Sequence, residues 1–150
     1  MPLHDKGDIV KAIGFMTIYY GYLEESLDNL FEIVAEHHPE LNDKKHLRFS
    51  DKAKHLRKQL VQAFTPDCPS TYEKHRVRKL LLRCQDLAKD RNEIIHSAIY
   101  GGAADVAILN SKKTGERAIS SVEVSDLANA IFDCSSDVQS LEFVVRRMMQ

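Results

Sequence analysis

Apolar side chains recur every three or four residues along four long stretches of the chain, which predicts four helices. The first is expected from about Asp8 to His37, and Pro39 ends it because proline disfavours helical geometry in the preceding residue. Its apolar row, stepping alternately by four and three, is Ile9, Ile13, Met16, Tyr20, Leu23, Leu27, Leu30 and Val34. A row this long is typical of a helix in a bundle or a coiled-coil contact.

The second and third helices are separated by a stretch with two prolines, residues 65–70. The second is predicted to begin at Ser50 or Asp51 and to end near Phe64, after a polar linker over residues 40–48. Ser70 or Thr71 is a suitable cap for the third. We expect the third helix to continue to Tyr100, because the two glycines that follow readily adopt the left-handed conformation that ends helices.

Between the third and fourth helices, the pattern changes to two short apolar segments. Residues 106–109 and 117–120 flank a polar stretch and predict a small β-hairpin, which must lie on the bundle because two strands alone are marginal. Residues 121–126 offer caps for a last helix ending near Met148. The fold class is therefore predicted to be all-α, a single domain over residues 1–150. It is a four-helix bundle with a small hairpin between helices three and four.

The apolar row of the last helix is as regular as that of the first. It consists of Val124, Leu127, Ile131, Cys134, Val138, Leu141, Val145 and Met148. One short bundle is not expected to cover two such rows fully, which predicts a homodimer.

Composition and motifs exclude several classes of protein. Hydrophobic content is 43% and charged content 29%, as in ordinary globular domains, and no apolar run reaches membrane-spanning length. The three cysteines, Cys68, Cys84 and Cys134, lie far apart, and the latter two fall in apolar rows, where we expect them to be small core residues. Without a C-x-x-C or H-E-x-x-H pattern, no metal, cofactor or disulfide framework is predicted. This composition fits a reducing cytoplasm.

Charge is distributed unevenly along the chain. The net charge is -6 over residues 1–41, +8 over residues 42–83 and -3 over residues 84–150. The residues of this basic block that we expect to contact nucleic-acid phosphates are Lys54, Arg57, Arg76 and Arg83. An equally strong interpretation is that the block pairs with the acidic first helix, within a chain or across a dimer.

Arg91 interrupts the apolar row of the third helix, which otherwise contains Val77, Leu80, Cys84, Leu87, Ile94 and Ala98. A guanidinium on such a face requires a carboxylate, a water-filled groove or an anionic ligand. Asn92 and His96 are four residues apart and share a face, whereas His96 lies about 140° around the helix from Arg91. The three residue types suit a phosphodiester, because arginine can bind its oxygens and histidine can transfer a proton.

The segment Arg91-Asn92-Glu93-Ile94-Ile95-His96 resembles the signature of the HEPN superfamily, an arginine followed by a polar residue and, after four to six intervening residues, a histidine. The resemblance implies a small helical bundle, usually a homodimer. It also implies a metal-independent ribonuclease whose composite site unites the two motifs of the dimer, although other members only bind nucleotides or RNA. By this resemblance His96 would transfer a proton at the ribose 2′-hydroxyl or the leaving oxygen. Arg91 would bind the scissile phosphate and Asn92 would position its neighbours.

Two alternatives remain open from the sequence. In one, the chain is a non-catalytic helical dimer that binds a protein or a nucleotide, with Arg91 and His96 structural. In the other, it is a toxin or defence protein paired with a nucleotidyltransferase antitoxin. In many such pairs a tyrosine stands two residues after the histidine. This chain has Ala98 there, with Tyr100 two residues later, a departure that weakens this specific pairing.

Overall fold

In the part of the chain that the structure describes, four α-helices and a small antiparallel sheet make up the fold, and the sequence predicts the helices and two of the three strands. The computed structural model describes residues 9–63, 71–100, 106–111 and 115–148. The helices are α1 (Ile9–His37), α2 (Phe49–Ala63), α3 (Thr71–His96) and α4 (Ser121–Met148), with a short 3-10 helix over Pro39–Lys44. The strands are β1 (Ala98–Tyr100), β2 (Val106–Ser111) and β3 (Gly115–Ser120). The predicted ends at Asp8, Phe64 and Ser70, and Cys68 in the predicted break between helices, lie outside the described residues.

The core is centred on α1 and α4, whose apolar rows cover each other. In α1 the whole predicted row is buried except Ile13, which is half-buried. The predicted row of α4 is buried as well, except for Leu127, which is half-buried, and Met148, which is exposed. The two helices also meet at a buried contact between the Ser26 and Ser135 hydroxyls, 3.2 Å apart. Both rows are therefore largely covered within one chain, and the homodimer stays a prediction.

The helix α2 runs in the same direction as α1. The Phe49 ring lies 5.4 Å from Tyr20 in the middle of α1, whereas Gln59 bonds to His38 beyond the end of α1. Between them, the 3-10 helix returns the chain along α1. It is anchored there by buried Leu41, so part of the predicted polar linker over residues 40–48 is helical and packs against the bundle.

The helix α3 runs opposite to its neighbours on both sides. Gln85 of α3 bonds to the Ser50 carbonyl and accepts from Arg57, whereas Arg91, further along α3, lies beside the start of α2. Toward α4, the Cys84 and Cys134 sulfurs are 3.5 Å apart and fully buried, which confirms both as core residues. The Cys134 thiol and burial raise the pKa of Cys84, so that thiol is protonated at neutral pH.

The end of α3 differs from the prediction. The helix ends at His96, four residues before Tyr100, and Ala98–Tyr100 forms a strand instead. Its backbone pairs antiparallel with β2, which gives a three-stranded sheet in the order β1-β2-β3 around the predicted hairpin. Pairing with β2 satisfies the same backbone groups as another helical turn would, and it turns a marginal hairpin into a more stable sheet. Position 98 is therefore not part of the helical row, and residues 101–102 lie outside the described part.

Side chains on both neighbouring helices hold the sheet against the bundle. Leu109 of β2 and Ile119 of β3 are buried in the core. Arg117 of β3 lies 3.3 Å from Glu93 of α3 and 3.3 Å from Glu123 of α4. Within the described ranges, no helix is long and apolar enough to cross a membrane.

Candidate functional site

Arg91 lies on the inward side of α3, half-buried, as its place in the apolar row predicts. One terminal nitrogen, Nη1, donates to the Asn92 side-chain oxygen at 2.9 Å. The guanidinium carbon lies 4.3 Å from the centre of the Tyr20 ring, a cation–π contact with α1. The Nε atom is buried and has no hydrogen-bond partner among the residues that the structure describes.

Within the described residues, the charge of Arg91 is not balanced by a direct ion pair. No carboxylate of the described residues lies within 4.0 Å of its guanidinium. A buried donor without a partner costs about 1–3 kcal/mol. The contact with Tyr20 offsets part of that cost, since cation–π pairs contribute about 0.5–2 kcal/mol. Of the three environments that the sequence allows for Arg91, the structure provides an open groove.

This groove, which we name the Arg91 cleft, lies between α1, the start of α2 and α3. Its volume is about 610 Å³. The residues that line it are Tyr20, Glu24, Arg48, Phe49, Ser50, Asp51, Arg91 and Asn92. Two arginines thus share the cleft with two carboxylates, a hydroxyl, an amide and two aromatic rings. Such a lining can bind an anionic group and hydrogen-bonding groups at the same time.

Tyr20 forms the aromatic wall beneath Arg91. Burial, together with the negative charge of Glu24, raises the pKa of Tyr20 to about 12, although Arg91 acts in the opposite direction. The hydroxyl is therefore protonated at neutral pH, and the ring supports Arg91 as a neutral aromatic surface. Phe49 tilts against the same ring, which fixes its orientation.

His96 does not join Arg91 and Asn92 in the cleft. It is exposed, it is the last residue of α3, and it is not among the lining residues. His96 comes five positions after Arg91, which amounts to about 7.5 Å along the helix axis and about 140° around it. Within one chain the structure therefore brings together only two of the three predicted site residues. Glu93, between them, bonds to Arg117 and has a structural role at the sheet.

Among the described residues, some side chains of the basic block have partners and others are exposed. Lys54 and Arg76 are exposed. Arg57 donates to Gln85 at 3.2 Å, and Arg83 lies 3.9 Å from Asp137. None of these four lines the Arg91 cleft.

Two other lysines of the block support the alternative interpretation, in which the basic residues pair with acidic α1. Lys52 bonds to Asp28 and Lys45 to Glu32, both at 2.9 Å. The two interpretations therefore apply to different residues of one block, since some of its cations pair with α1 and others stay available to a ligand.

The sequence did not predict Arg48 or Tyr20 as site residues. Arg48 fell in the polar linker and Tyr20 in the apolar row of α1. A usable signal was the position of Arg48 directly before an apolar residue at the start of a helix, where helical N–H groups are open. Its proximity to Arg91 depends on the returning path of residues 38–48, which the sequence does not reveal.

Comparisons with known proteins find no relative of this chain. No family model, curated protein or solved structure matches the chain. Among the described residues, no three His, Cys, Asp or Glu side chains group closely enough to hold a metal ion.

Proposed function

We propose that the protein is a metal-independent endoribonuclease of the cytoplasm, with a composite site formed by two copies of the chain. The observation that carries the proposal is the environment of Arg91. Its guanidinium is held by Asn92 and Tyr20 at the wall of an open cleft, without a carboxylate partner in the described chain. A phosphate would supply the missing charge, and arginine binds phosphate oxygens through planar, paired donors.

The roles proposed for the three residues are those that the resemblance to HEPN proteins implies. Arg91 binds the scissile phosphate and stabilises the negative charge that develops on it. Asn92 holds the guanidinium in one orientation through its 2.9 Å hydrogen bond. A histidine removes the proton of the ribose 2′-hydroxyl as that oxygen attacks phosphorus. The bond to the 5′-oxygen then breaks, and that oxygen takes up a proton, leaving a cyclic 2′,3′-phosphate and a 5′-hydroxyl end.

The proposed dimer places His96 of a second copy beside Arg91. Within one chain the two side chains leave the helix about 140° apart, so one copy does not present both to the same phosphate. Apolar side chains remain exposed for such a contact, among them Ile18 and Tyr22 on one face of α1 and Phe143 on α4. A sedimentation experiment showing only monomer at tens of micromolar protein would contradict the composite site.

The proposed activity can be tested on a mixed RNA pool in excess EDTA. We expect the purified protein to cut RNA into fragments with cyclic-phosphate ends, because the 2′-hydroxyl is the nucleophile and no metal is needed. DNA of the same sequences is the matched control and should stay intact, since it has no 2′-hydroxyl. Intact RNA at saturating protein, or equal cleavage of DNA, would contradict the proposal.

Neutralising the basic block should weaken RNA binding in a salt-dependent way. We expect glutamine at Lys54, Arg57, Arg76 and Arg83 to lower affinity for a non-cleavable 2′-O-methyl RNA and to reduce the salt slope by about one unit per lost phosphate contact. Lys54 and Arg76 should contribute most, because Arg57 and Arg83 already have protein partners. Fluorescence anisotropy across a salt series measures both quantities. Binding that is indifferent to ionic strength would instead assign the block to pairing with α1.

A non-catalytic nucleotide- or RNA-binding module is the second candidate. The position of His96 favours it, because this residue lies outside the cleft that contains Arg91 and Asn92. In that case the protein would bind the same RNA without producing cyclic-phosphate ends. A toxin bound to an antitoxin protein is compatible with either candidate.

A further inference from the structure

We propose that the Arg91 cleft binds a single ribonucleotide unit, with its phosphate held jointly by Arg91 and Arg48. This deepens the proposed function by naming the unit that is bound and a second phosphate-binding residue. It rests on the proposed function in one respect, which is that the bound ribonucleotide can be part of an RNA strand.

Two arginines from separate elements provide the positive charge. Arg91 comes from α3, and Arg48 directly precedes α2, yet both line the same cleft. Arg48 is exposed and has no ion pair with a described residue, so its guanidinium is available to a ligand. Together they can contact one phosphate from two directions, which a single arginine on α3 cannot do.

Backbone donors lie beside the two arginines. The first helical hydrogen bond of α2 runs from the Lys52 N–H to the Arg48 carbonyl at 2.9 Å. The N–H groups of residues 49–51 therefore precede the helical bonding pattern and have no helical carbonyl to bind. These residues line the cleft, and Arg91 lines it too. The positive end of the α2 dipole adds to the attraction for a phosphate.

The remaining lining indicates a ribonucleotide rather than a bare anion. Glu24 and Asp51 would repel free phosphate, but their carboxylates can accept hydrogen bonds from ribose hydroxyls. The rings of Tyr20 and Phe49 offer an apolar surface for a base or sugar. A volume of about 610 Å³ is within the range of sites for small organic ligands. A ribonucleotide matches all of these groups, whereas phosphate alone matches only the arginines and the backbone N–H groups at the start of α2.

The test is direct binding by calorimetry, using four small probes and one strand. The probes are a ribonucleoside 5′-monophosphate, its 2′-deoxy form, the nucleoside without phosphate, and inorganic phosphate. The strand is an RNA in which a methylene group replaces each 5′-bridging oxygen, so it keeps its 2′-hydroxyls but has no leaving oxygen and is not cleaved. We expect the ribonucleoside monophosphate to bind more tightly than the other three small probes. Arg48→Gln should weaken its binding about 10–100-fold, the usual loss for a hydrogen bond between charged partners.

Arg147→Gln is the matched control, since Arg147 is an exposed arginine near the end of α4 and does not line the cleft. It should bind all probes as the parent does, and thermal melts should show that both variants fold. If the monophosphate binds, a free nucleotide is sufficient to occupy the cleft. If only the strand binds, and Arg48→Gln weakens that binding, the cleft takes its ribonucleotide from an RNA strand.

Several results would overturn the inference. They are unchanged affinity in Arg48→Gln, equal binding of the nucleoside without phosphate, equal binding of the deoxy form, and no binding of any probe or strand. Failure here is distinguishable from failure of the proposed function, because this experiment measures no cleavage. A parent protein that cuts RNA while Arg48→Gln binds normally would refute only the Arg48 assignment. A parent that binds the nucleotide through Arg48 but never cuts RNA would refute only the nuclease.

Discussion

His96→Ala is expected to lower the rate of RNA cleavage about 10²–10⁴-fold, the usual contribution of a positioned acid–base group. The substitution removes the group that transfers the proton between the 2′-hydroxyl, the phosphate and the leaving oxygen. Because His96 is exposed at the end of α3, we expect the fold to be unaffected. Binding of a non-cleavable RNA should change little, since the phosphate contact is assigned to Arg91.

Single-turnover cleavage of end-labelled RNA measures this loss without the complication of product release. His75→Ala is the matched control, because His75 is an exposed histidine near the start of the same helix, far from the motif. It should cleave at the parent rate. A His96→Ala variant as active as His75→Ala would remove His96 from the mechanism and would favour the binding module.

Arg91→Ala is expected to reduce cleavage about 10²–10³-fold, as the loss of a preorganised donor to a developing negative charge commonly does. Its effect on folding should be small, within about 1–2 kcal/mol, because two opposing contributions are removed together. The variant loses the contact with Tyr20 and the bond to Asn92, and it also loses the buried Nε that has no described partner. Removing one partner of a buried ion pair would instead cost about 3–5 kcal/mol.

Urea unfolding and single-turnover cleavage of the same preparation test both parts of this expectation. Arg147→Ala serves as the control for loss of an arginine elsewhere on the surface. Arg91→Lys separates charge from shape, since lysine keeps the charge but lacks the planar, paired donors. It should therefore stay well below the parent rate. A collapse of stability in both Arg91→Ala and His96→Ala, with no cleavage by the parent, would make the motif a structural polar pair.

The sequence predicts the helices well because helical period is a local property of the chain. Nearly every residue in the apolar rows of α1 and α4 is buried, and the two core cysteines lie where their rows place them. Which apolar row packs against which other row is not determined by local sequence. The sequence suggested a second copy to cover these rows, whereas α1 and α4 cover each other in one chain.

The end of α3 shows a second limit of prediction from sequence. Residues 98–100 continue the apolar pattern of the helix, but they pair with β2, a strand that lies later in the chain. Helical and strand pairing satisfy the same backbone groups, so the outcome depends on a partner that local pattern does not reveal.

The candidate site shows the same division between local and distant information. Arg91 and Asn92 are adjacent in sequence, so their contact follows from the helix itself. The other walls of the cleft, Tyr20 and Arg48, come from α1 and from the residue before α2, and only the directions of the helices bring them together. Helix geometry also predicts that the side chains of His96 and Arg91 diverge within one chain. The central claim is therefore that His96 of a second copy completes the site.

Subunit mixing tests that claim most directly. Equal amounts of the Arg91→Ala and His96→Ala proteins, each expected to be inactive alone, are mixed. Their dimers are dissociated by dilution or unfolding and allowed to reassociate into mixed dimers. If the site joins Arg91 of one copy to His96 of the other, each mixed dimer contains one intact site. The mixture should then recover about a quarter of the parent's cleavage activity, since half of the dimers are mixed and each has one of two sites. A mixture as inactive as its components, with mixed dimers demonstrated by mass spectrometry, would contradict the composite site.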